Sequence, residues 1–167
     1  MAAPILIYVD ADACPVKAEV YKVAERHGAD VVVVANSWIN VPRHEPRIRL
    51  QVVGAGLDEA DNWIAEHVVA GDIVVTADIP LADRCVKASA IVLAPDGRVF
   101  TPESIGMALA MRNLMTDLRS ADPLSLSTGG GARPFNQKDR SAFLQALHAA
   151  LVQAGKSATG SPSGGVP

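Results

Sequence analysis

The sequence predicts an α/β fold in three layers, with a mostly parallel central sheet between two layers of helices. Short apolar runs rich in β-branched residues recur at 5–9, 31–35 and 73–76, and such runs are typical of strands buried on both faces. Helical patterns separate these runs, and alternation of strands with helices favours parallel strands joined by right-handed crossovers. Polar residues follow two of the runs, where open α/β sheets bind their ligands.

The first half of the chain contains the signals for three strands and two helices. Apolar residues at helical spacing indicate both helices; Gly28 is placed to end the first, and Asp58 is placed to cap the second. In chain order we expect a strand at 5–9, a helix at 16–27, a strand at 31–35, a loop at 36–42, a strand at 49–53 and a helix after Asp58.

The second half predicts the rest of the sheet and the longest helices. Asp96-Gly97 between apolar runs is a hairpin signal. We expect a strand at 73–76, a helix at 81–87, short strands at 90–94 and 99–100, and helices at 103–119 and 139–153. The apolar residues that we expect the helix at 103–119 to turn inward are Ile105, Ala108, Leu109, Met111, Leu114, Met115 and Leu118.

Composition indicates one domain. The chain has 167 residues, 49% of them hydrophobic, which is enough for one sizeable core and too few for two. We assign that domain to residues 1–154 and expect 155–167, rich in Gly, Ser and Pro, to be a disordered tail. Cys14 and Cys85 lack the paired spacing of a disulfide framework or a zinc site, so we interpret both as buried packing residues.

Charge and hydropathy limit the partners. No apolar run approaches the ~20 residues that a bilayer requires, and the start of the chain lacks the features of a secretory signal, so we expect a cytoplasmic protein with no membrane segment. The net charge of −3 gives no global case for binding nucleic acid, so local basic patches would have to supply it. The sequence leaves open whether two copies pair as a homodimer.

Aspartates recur where the strands end. Asp10 and Asp12 follow the first strand and point to one side if the chain stays extended, and Asp78 follows the strand at 73–76. Asp58 and Asp61 fall in the first turn of a helix, where acids are favoured for capping and by the helix dipole. Capping alone would explain Asp58 and, with less force, Asp12. The recurrence after two strands instead predicts one pocket, in which Asp10, Asp12, Asp61 and Asp78 act in catalysis.

Several carboxylates in one pocket cannot all stay ionised unless a cation binds. Because the donors are oxygen atoms alone, Mg²⁺ or Mn²⁺ is the expected cofactor, held by Asp10, Asp58, Asp61 and Asp78. Such a site can activate water and stabilise the leaving oxygen of a phosphodiester.

Basic residues offer a way to hold a phosphate backbone. The densest cluster, at 43–49, is either a solvated loop and edge strand or a rim that contacts phosphates. The glycines at 129–131 are either an anion-binding nest or simply flexible. The candidate substrate contacts are Arg43, Arg47, Arg112, Arg133, Lys138 and Arg140.

An ordered set of motifs at 9–17, 34–36, 56–61, 71–82, 111–112 and 128–140 resembles the YaiI/YqxD family of bacterial proteins, over about residues 4–151. That family looks related to PIN-like (PilT N-terminal) nuclease domains, which carry an aspartate after the first strand, an acid on a following helix and an aspartate in a Thr-x-Asp turn. The resemblance implies a PIN-like fold with site residues Asp10, Asp61 and Asp78; Asp12, Asp58 and Asp83 are further candidates. The loop at 129–132 is longer than is usual in the family.

Three functions remain open on this sequence. The first is a Mg²⁺- or Mn²⁺-dependent nuclease that hydrolyses RNA. The second is a module that binds metal and RNA without catalysis. The third is a phosphatase of the haloacid-dehalogenase kind, because Asp-x-Asp after the first strand also suits an aspartyl nucleophile and its general acid; that interpretation leaves Asp61 without a role and has only Lys87 as a poor candidate lysine.

Overall fold

The protein, described here as a computed structural model over residues 4–56, 58–121 and 134–164, is built on one mixed sheet. Its strands are β1 (Leu6–Asp10), β2 (Asp30–Ala35), β3 (Ile48–Val52), β4 (Ile73–Val75), β5 (Ile91–Leu93) and β6 (Val99–Phe100). They lie in the order β3-β2-β1-β4-β5-β6, and every pair is parallel except β5 with β6. The predicted α/β class with a mostly parallel sheet is confirmed.

Helices cover both faces of this sheet. They are α1 (Lys17–His27), α2 (Glu59–His67), α3 (Ile79–Lys87), α4 (Pro102–Ala121) and α5 (Gln137–Gly164). One face packs with α1 and α5, through residues such as Phe143 and Leu147, and the other packs with α2 and α3, through Ile64 and Leu81. Alternate residues of β1 supply the two faces: Ile7 and Val9 belong to the first core and Tyr8 to the second.

The strand order creates a switch point between β1 and β4. The chain runs outward from β1 through β2 to β3 and then returns to place β4 on the other side of β1. The connections on the two sides lie on opposite faces, so the carboxyl ends of β1 and β4 border a crevice of the kind in which open α/β sheets bind ligands. Asp10, at the end of β1, and the residues that follow Val75, at the end of β4, border this crevice.

The exposed side of α4 corrects one prediction. Ile105 is buried, and Ala108, Leu109 and Met115 are half-buried, but Met111 (58%), Leu114 (51%) and Leu118 (44%) are substantially exposed. The inward orientation expected for these last three is therefore wrong. The reason is length: α4 has 20 residues, whereas α3, against which it packs, has nine and cannot cover it at ~1.5 Å per residue.

The ends of other elements agree with the sequence to different degrees. Gly28 ends α1 in the left-handed conformation, with φ 65°, as predicted. Helix α5 continues to Gly164, so the helix end expected at 153 is wrong; adding a residue to an existing helix costs less than starting one. The division of the chain at residue 154 stays a prediction.

Two smaller predictions also have outcomes. Cys14 and Cys85 are both buried and form no disulfide, in agreement with a packing role. Within the described residues, none of the helices has the length and hydropathy needed to span a membrane.

Candidate acidic active site

A threonine hydroxyl joins the ends of the two central strands. Thr76 follows β4 and is 1% exposed; its Oγ1 donates to Asp10 Oδ2 at 2.9 Å. The same oxygen accepts the backbone N–H of Asp78 at 3.0 Å. Asp10 is itself only 7% exposed, so this bond fixes a buried carboxylate at the end of β1. The Thr-Ala-Asp sequence thereby brings the acid that follows β4 to the acid that ends β1.

Asp78 begins α3. Its Oδ1 accepts the N–H of Leu81 at 2.9 Å, which makes it the helix cap, and Pro80 stands in the first turn, where its missing N–H is not needed. The capping bond orients the carboxylate at the carboxyl edge of the sheet. Capping and a place in the acidic pocket are therefore compatible for this residue.

Asp61 joins these two acids from the first turn of α2. Its pKa is raised to about 7, first by burial and then by the negative charges of Asp78, Asp10 and Asp58. A side-chain hydrogen bond with Asp78 adds to the effect. Three segments of the chain, after β1, at the start of α2 and after β4, thus bring their carboxyl groups into electrostatic contact, as the sequence predicts.

Asp10 responds to the same crowding. Burial raises its pKa most, the charges of Asp12 and Asp78 raise it further, and the hydrogen bond from Thr76 opposes the rise. Mutual repulsion of this kind favours either a shared proton or a bound cation. The pocket therefore holds more negative charge than its own hydrogen bonds neutralise.

Asp12 and Asp58 are exposed at the margin of this pocket. Asp12 lies in a single 3-10 turn, Ala11–Ala13, and does not cap α1, whose first flanking residue is Val16. Asp58 precedes α2 but its side chain makes no capping hydrogen bond. The capping explanation of these two acids is therefore wrong, and both contribute charge to their neighbours instead. Asp83 is not part of the pocket's charge and pairs with Lys87 at 2.9 Å.

The donor chemistry suits a hard divalent cation, although the protein does not preform a cage for one. Among the described residues, no group of three or more His, Cys, Asp or Glu side chains is arranged to hold a metal ion. Mg²⁺ commonly binds through only one or two carboxylates, and water and substrate phosphates complete its coordination. Asp10, Asp61 and Asp78 supply such carboxylate oxygens, which fit Mg²⁺ or Mn²⁺.

The predicted basic contacts are scattered. Arg47 donates to the carbonyl of Gly28 at 2.8 Å and pairs with Asp30 at 3.3 Å. Because Asp30 begins β2, this arginine lies at the amino edge of the sheet, away from the acids. Arg43, Arg112 and Lys138 are exposed, and their contact with substrate stays a prediction. Arg133 and the glycines at 129–131 lie outside the described residues.

Arg140 already has partners within the protein. It forms an ion pair with Glu19 on α1, and its guanidinium lies 5.2 Å from the ring centre of Phe135. Together these contacts join the start of α5 to the start of α1. Helix α1 follows the 3-10 turn that contains Asp12. These contacts hold Arg140 in place within the fold, and its contact with substrate stays a prediction.

Sequence reasoning missed three polar or aromatic residues near this edge. Lys17 places its ammonium 3.3 Å from the carbonyl of Ala11 and 3.0 Å from that of Cys14, so it closes the acidic turn. The amide of Asn36 donates to the carbonyls of Gly54 and Gly56, which fixes the loop before Asp58. Trp38 follows β2 and is 66% exposed. Two features of the sequence could have indicated them: Lys17 directly follows Cys14-Pro15-Val16, and Asn36 directly follows a strand.

Comparison with known proteins gives the kinship of the chain. A family model described as "Uncharacterized BCR, YaiI/YqxD family" matches residues 8–153. The chain belongs to this family. A UPF0178 protein from Rhodopseudomonas palustris (strain HaA2) is 64% identical over 146 residues, which cover 87% of this chain and 86% of that relative. A UPF0178 protein from Azorhizobium caulinodans is 60% identical over 150 residues, which cover 90% and 91%.

The YaiI/YqxD match begins within β1, ends within the last helix, and includes Asp10, Asp61 and Asp78. It confirms the resemblance seen in the sequence motifs. The printed names of these relatives state no activity, so they show kinship alone. No solved structure matches the chain, and the relation to PIN-like nucleases stays a prediction.

Proposed function

We propose that this protein is a divalent-metal-dependent nuclease that hydrolyses RNA phosphodiesters at the acidic pocket, as a PIN-like domain would. The observation that carries the proposal is the Thr76 hydroxyl, which holds Asp10 beside the start of the Asp78 helix at the switch point, with Asp61 in electrostatic contact. This is the position at which open α/β sheets bind ligands.

The charge of the pocket supports a phosphate substrate brought with a cation. Asp10, Asp61 and Asp78 would hold Mg²⁺ or Mn²⁺, which supplies charge neutralisation at the phosphate and an acidified water. The Thr76 hydroxyl and the Leu81 N–H donate to the carboxylates of Asp10 and Asp78 and so hold both in place at this edge of the sheet. Asp61, whose pKa is raised to about 7, would hold the ion in its deprotonated form, and Asp12, which is exposed near Asp10, would orient the attacking water.

The other two functions make different demands on the same residues. A haloacid-dehalogenase type of phosphatase would need a lysine that reaches the Asp10 carboxylate, but Lys87 ends α3, where it pairs with Asp83, and Lys17 donates to the carbonyls of Ala11 and Cys14. It would also leave the coupling of Asp61 to Asp10 without a purpose. A binding module without catalysis uses the same pocket, and the activity test separates it from the nuclease.

The experiment is cleavage of end-labelled single-stranded RNA by the purified chain, in Mn²⁺ or Mg²⁺ and in excess EDTA, with single-stranded DNA in parallel. Asp10→Asn, Asp61→Asn and Asp78→Asn remove the charges, and Glu25→Gln on the exposed side of α1 is the matched control. We expect metal-dependent cleavage that falls about 100- to 1,000-fold in the three variants and is unchanged in the control, as for other preorganised charges.

Equal cleavage by the parent and by Asp10→Asn and Asp78→Asn, prepared identically, would show that the activity is a contaminant and would refute the proposal. RNA binding that persists in EDTA without any turnover would replace the nuclease with the binding module. Preferential cleavage of DNA would support the acidic pocket as the active site but would make DNA the substrate.

A further inference from the structure

A cavity of about 300 Å³ lies between α2 and the edge strand β3, on the face of the sheet that α2 covers. Helix α2 packs over β1 and β2, so the side chains that β3 turns to this face border an opening. Tyr8 and Val32 line it from the inner strands, Arg49 and Gln51 from β3, and Trp63 and His67 from α2. The cavity thus combines aromatic rings with a guanidinium and an amide.

The aromatic side of this cavity is held in place by its own contacts. The rings of Trp63 and His67 stack with centres 3.8 Å apart and planes 15° from parallel. Tyr8 meets Trp63 edge-on at 6.0 Å, and its hydroxyl donates to the carbonyl of His67 at 3.3 Å. A ring nitrogen of His67 lies 2.7 Å from the carbonyl of Trp63. Rings fixed in this way lose little freedom when a planar ligand stacks against them.

The β3 side supplies polar groups at a regular spacing. Arg49 pairs with Val32 and Gln51 pairs with Val34, so both side chains belong to the face that carries the cavity. Arg49 is exposed, and its charge acts on Tyr8, whose pKa it lowers against the larger effect of burial. A guanidinium suits a phosphate, and a glutamine amide can both donate to and accept from the edge of a base.

A second cavity adjoins this one on the side of the start of α2. It has a volume of about 370 Å³, shares Gln51 and Trp63 with the first, and extends to Gly54 and Glu59 at the start of α2. Asp61 stands two residues before Trp63, and Asp10 two residues after Tyr8. The carboxylates of Glu59 and Glu66 line the second cavity, so a phosphate is favoured at Arg49 and disfavoured near them.

We propose that the cavity between α2 and β3 binds one nucleotide of a single-stranded RNA, with its base on an outer face of the stacked Trp63–His67 pair and its phosphate at Arg49. The choice of ligand rests on the proposed function, because a strand cleaved at the acids would need a second point of attachment. Stacking accepts every base, so the cavity gives affinity with little sequence preference. The acids and the cavity are separate features and can fail separately.

The test uses the fluorescence of Trp63. The chain has two tryptophans, so Trp38→Phe leaves Trp63 as the sole emitter. In EDTA, we expect adenosine 5′-monophosphate to quench this emission and ribose 5-phosphate, which has no base, to leave it unchanged. Binding of a labelled oligoadenylate, followed by anisotropy, should weaken roughly 5- to 150-fold in Trp63→Leu, the range for loss of one stacked base.

Arg49→Ala tests the cavity without removing a ring. It should weaken oligoadenylate binding, whereas Arg98→Ala, which removes another exposed arginine at the turn before β6, should not. Absence of quenching by the mononucleotide, or equal affinities in Arg49→Ala and Arg98→Ala, would overturn the inference. If the mononucleotide quenches the emission but the chain cleaves no RNA, the cavity's ligand is supported and the nuclease is refuted. In Asp61→Asn we expect cleavage to be lost and quenching to remain.

Discussion

Thr76 Oγ1 donates to Asp10 Oδ2 at 2.9 Å and accepts the N–H of Asp78 at 3.0 Å, so one hydroxyl connects two strand ends and two carboxyl groups. All three residues lie at the switch point between β1 and β4. The bond explains how an acid can remain buried at the centre of the sheet: a donor to its charged form offsets part of the cost of burial.

Replacing Thr76 tests that connection. Thr76→Val keeps the volume and removes the donor, so we expect the free energy of unfolding to fall by about 1–3 kcal/mol, the usual cost of a buried group that loses its partner. RNA cleavage should fall with it. Thr76→Ser retains the hydroxyl and should retain most of both. Urea unfolding of the three proteins measures the difference, and a Val variant as stable as the Ser variant would deny the hydroxyl its role.

The raised pKa of Asp61 predicts a pH dependence of stability. Its folded pKa of about 7 exceeds the unfolded value of 3.8, so the folded state holds the proton more tightly. In metal-free solution, stability contributed by this group is complete below pH ~4 and is lost as the pH rises through 7. Asp61→Asn should therefore unfold at higher urea than the parent at pH 8 but not at pH 4, with Glu25→Gln as the control. A parent-minus-variant difference independent of pH would contradict the crowding.

The turn before β6 offers a test of how α5 is placed. At Gly97, with φ 96°, an added Cβ would lie 2.7 Å from the backbone of Ala142 in α5, whereas at Gly71, with φ 92°, it would meet nothing within 4 Å. Both alanine variants carry the ~1–2 kcal/mol backbone cost of a left-handed residue. Gly97→Ala should lose a further 1–3 kcal/mol or so through overpacking. Equal thermal unfolding of the two variants would show that α5 does not pack on this turn.

Helix α4 should show uneven sensitivity along its length. Ile105 is 3% exposed and Leu114 is 51% exposed, although both belong to the apolar pattern of the same helix. Ile105→Ala should cost about 2–5 kcal/mol, as deletions from a packed core do. Leu114→Ala should change stability by less than about 0.5 kcal/mol. Comparable losses, measured by denaturant unfolding, would mean that Leu114 is covered in solution.

The sequence was informative where local pattern and tertiary environment agree. Continuous apolar runs predicted β1, β2 and β4, and the positions of Asp10 and Asp78 after them predicted the carboxyl-edge pocket. Pattern could not show that α3 is too short to bury Met111, because apolar spacing does not reveal what lies opposite a helix. Nor could it place Arg47, since a basic cluster in the sequence does not state which edge of the sheet it reaches.

Helix capping likewise could be predicted only in part from the sequence. The sequence suggests Asp58 and Asp12 as helix caps, but of the three acids Asp12, Asp58 and Asp78 only Asp78 makes a capping bond in the structure. Asp12 lies in a separate 3-10 turn before α1, whereas Asp58 and Asp78 each directly precede a helix. For these two the outcome depends on side-chain orientation, which follows from neighbours distant in the sequence. Thr76 is an example, because its partner Asp10 is 66 positions away.

Binding of Mn²⁺ to the parent chain and to Asp10→Asn, Asp61→Asn and Asp78→Asn, measured by calorimetry or by the paramagnetic resonance of the free ion, tests most directly whether these carboxyl groups act together. We expect saturable binding to the parent that strengthens between pH 6 and 8, as protons compete for Asp61 with its pKa of about 7, and that is lost in each variant but kept in Glu25→Gln. Binding of equal strength by the parent and the three variants would contradict a shared cation site.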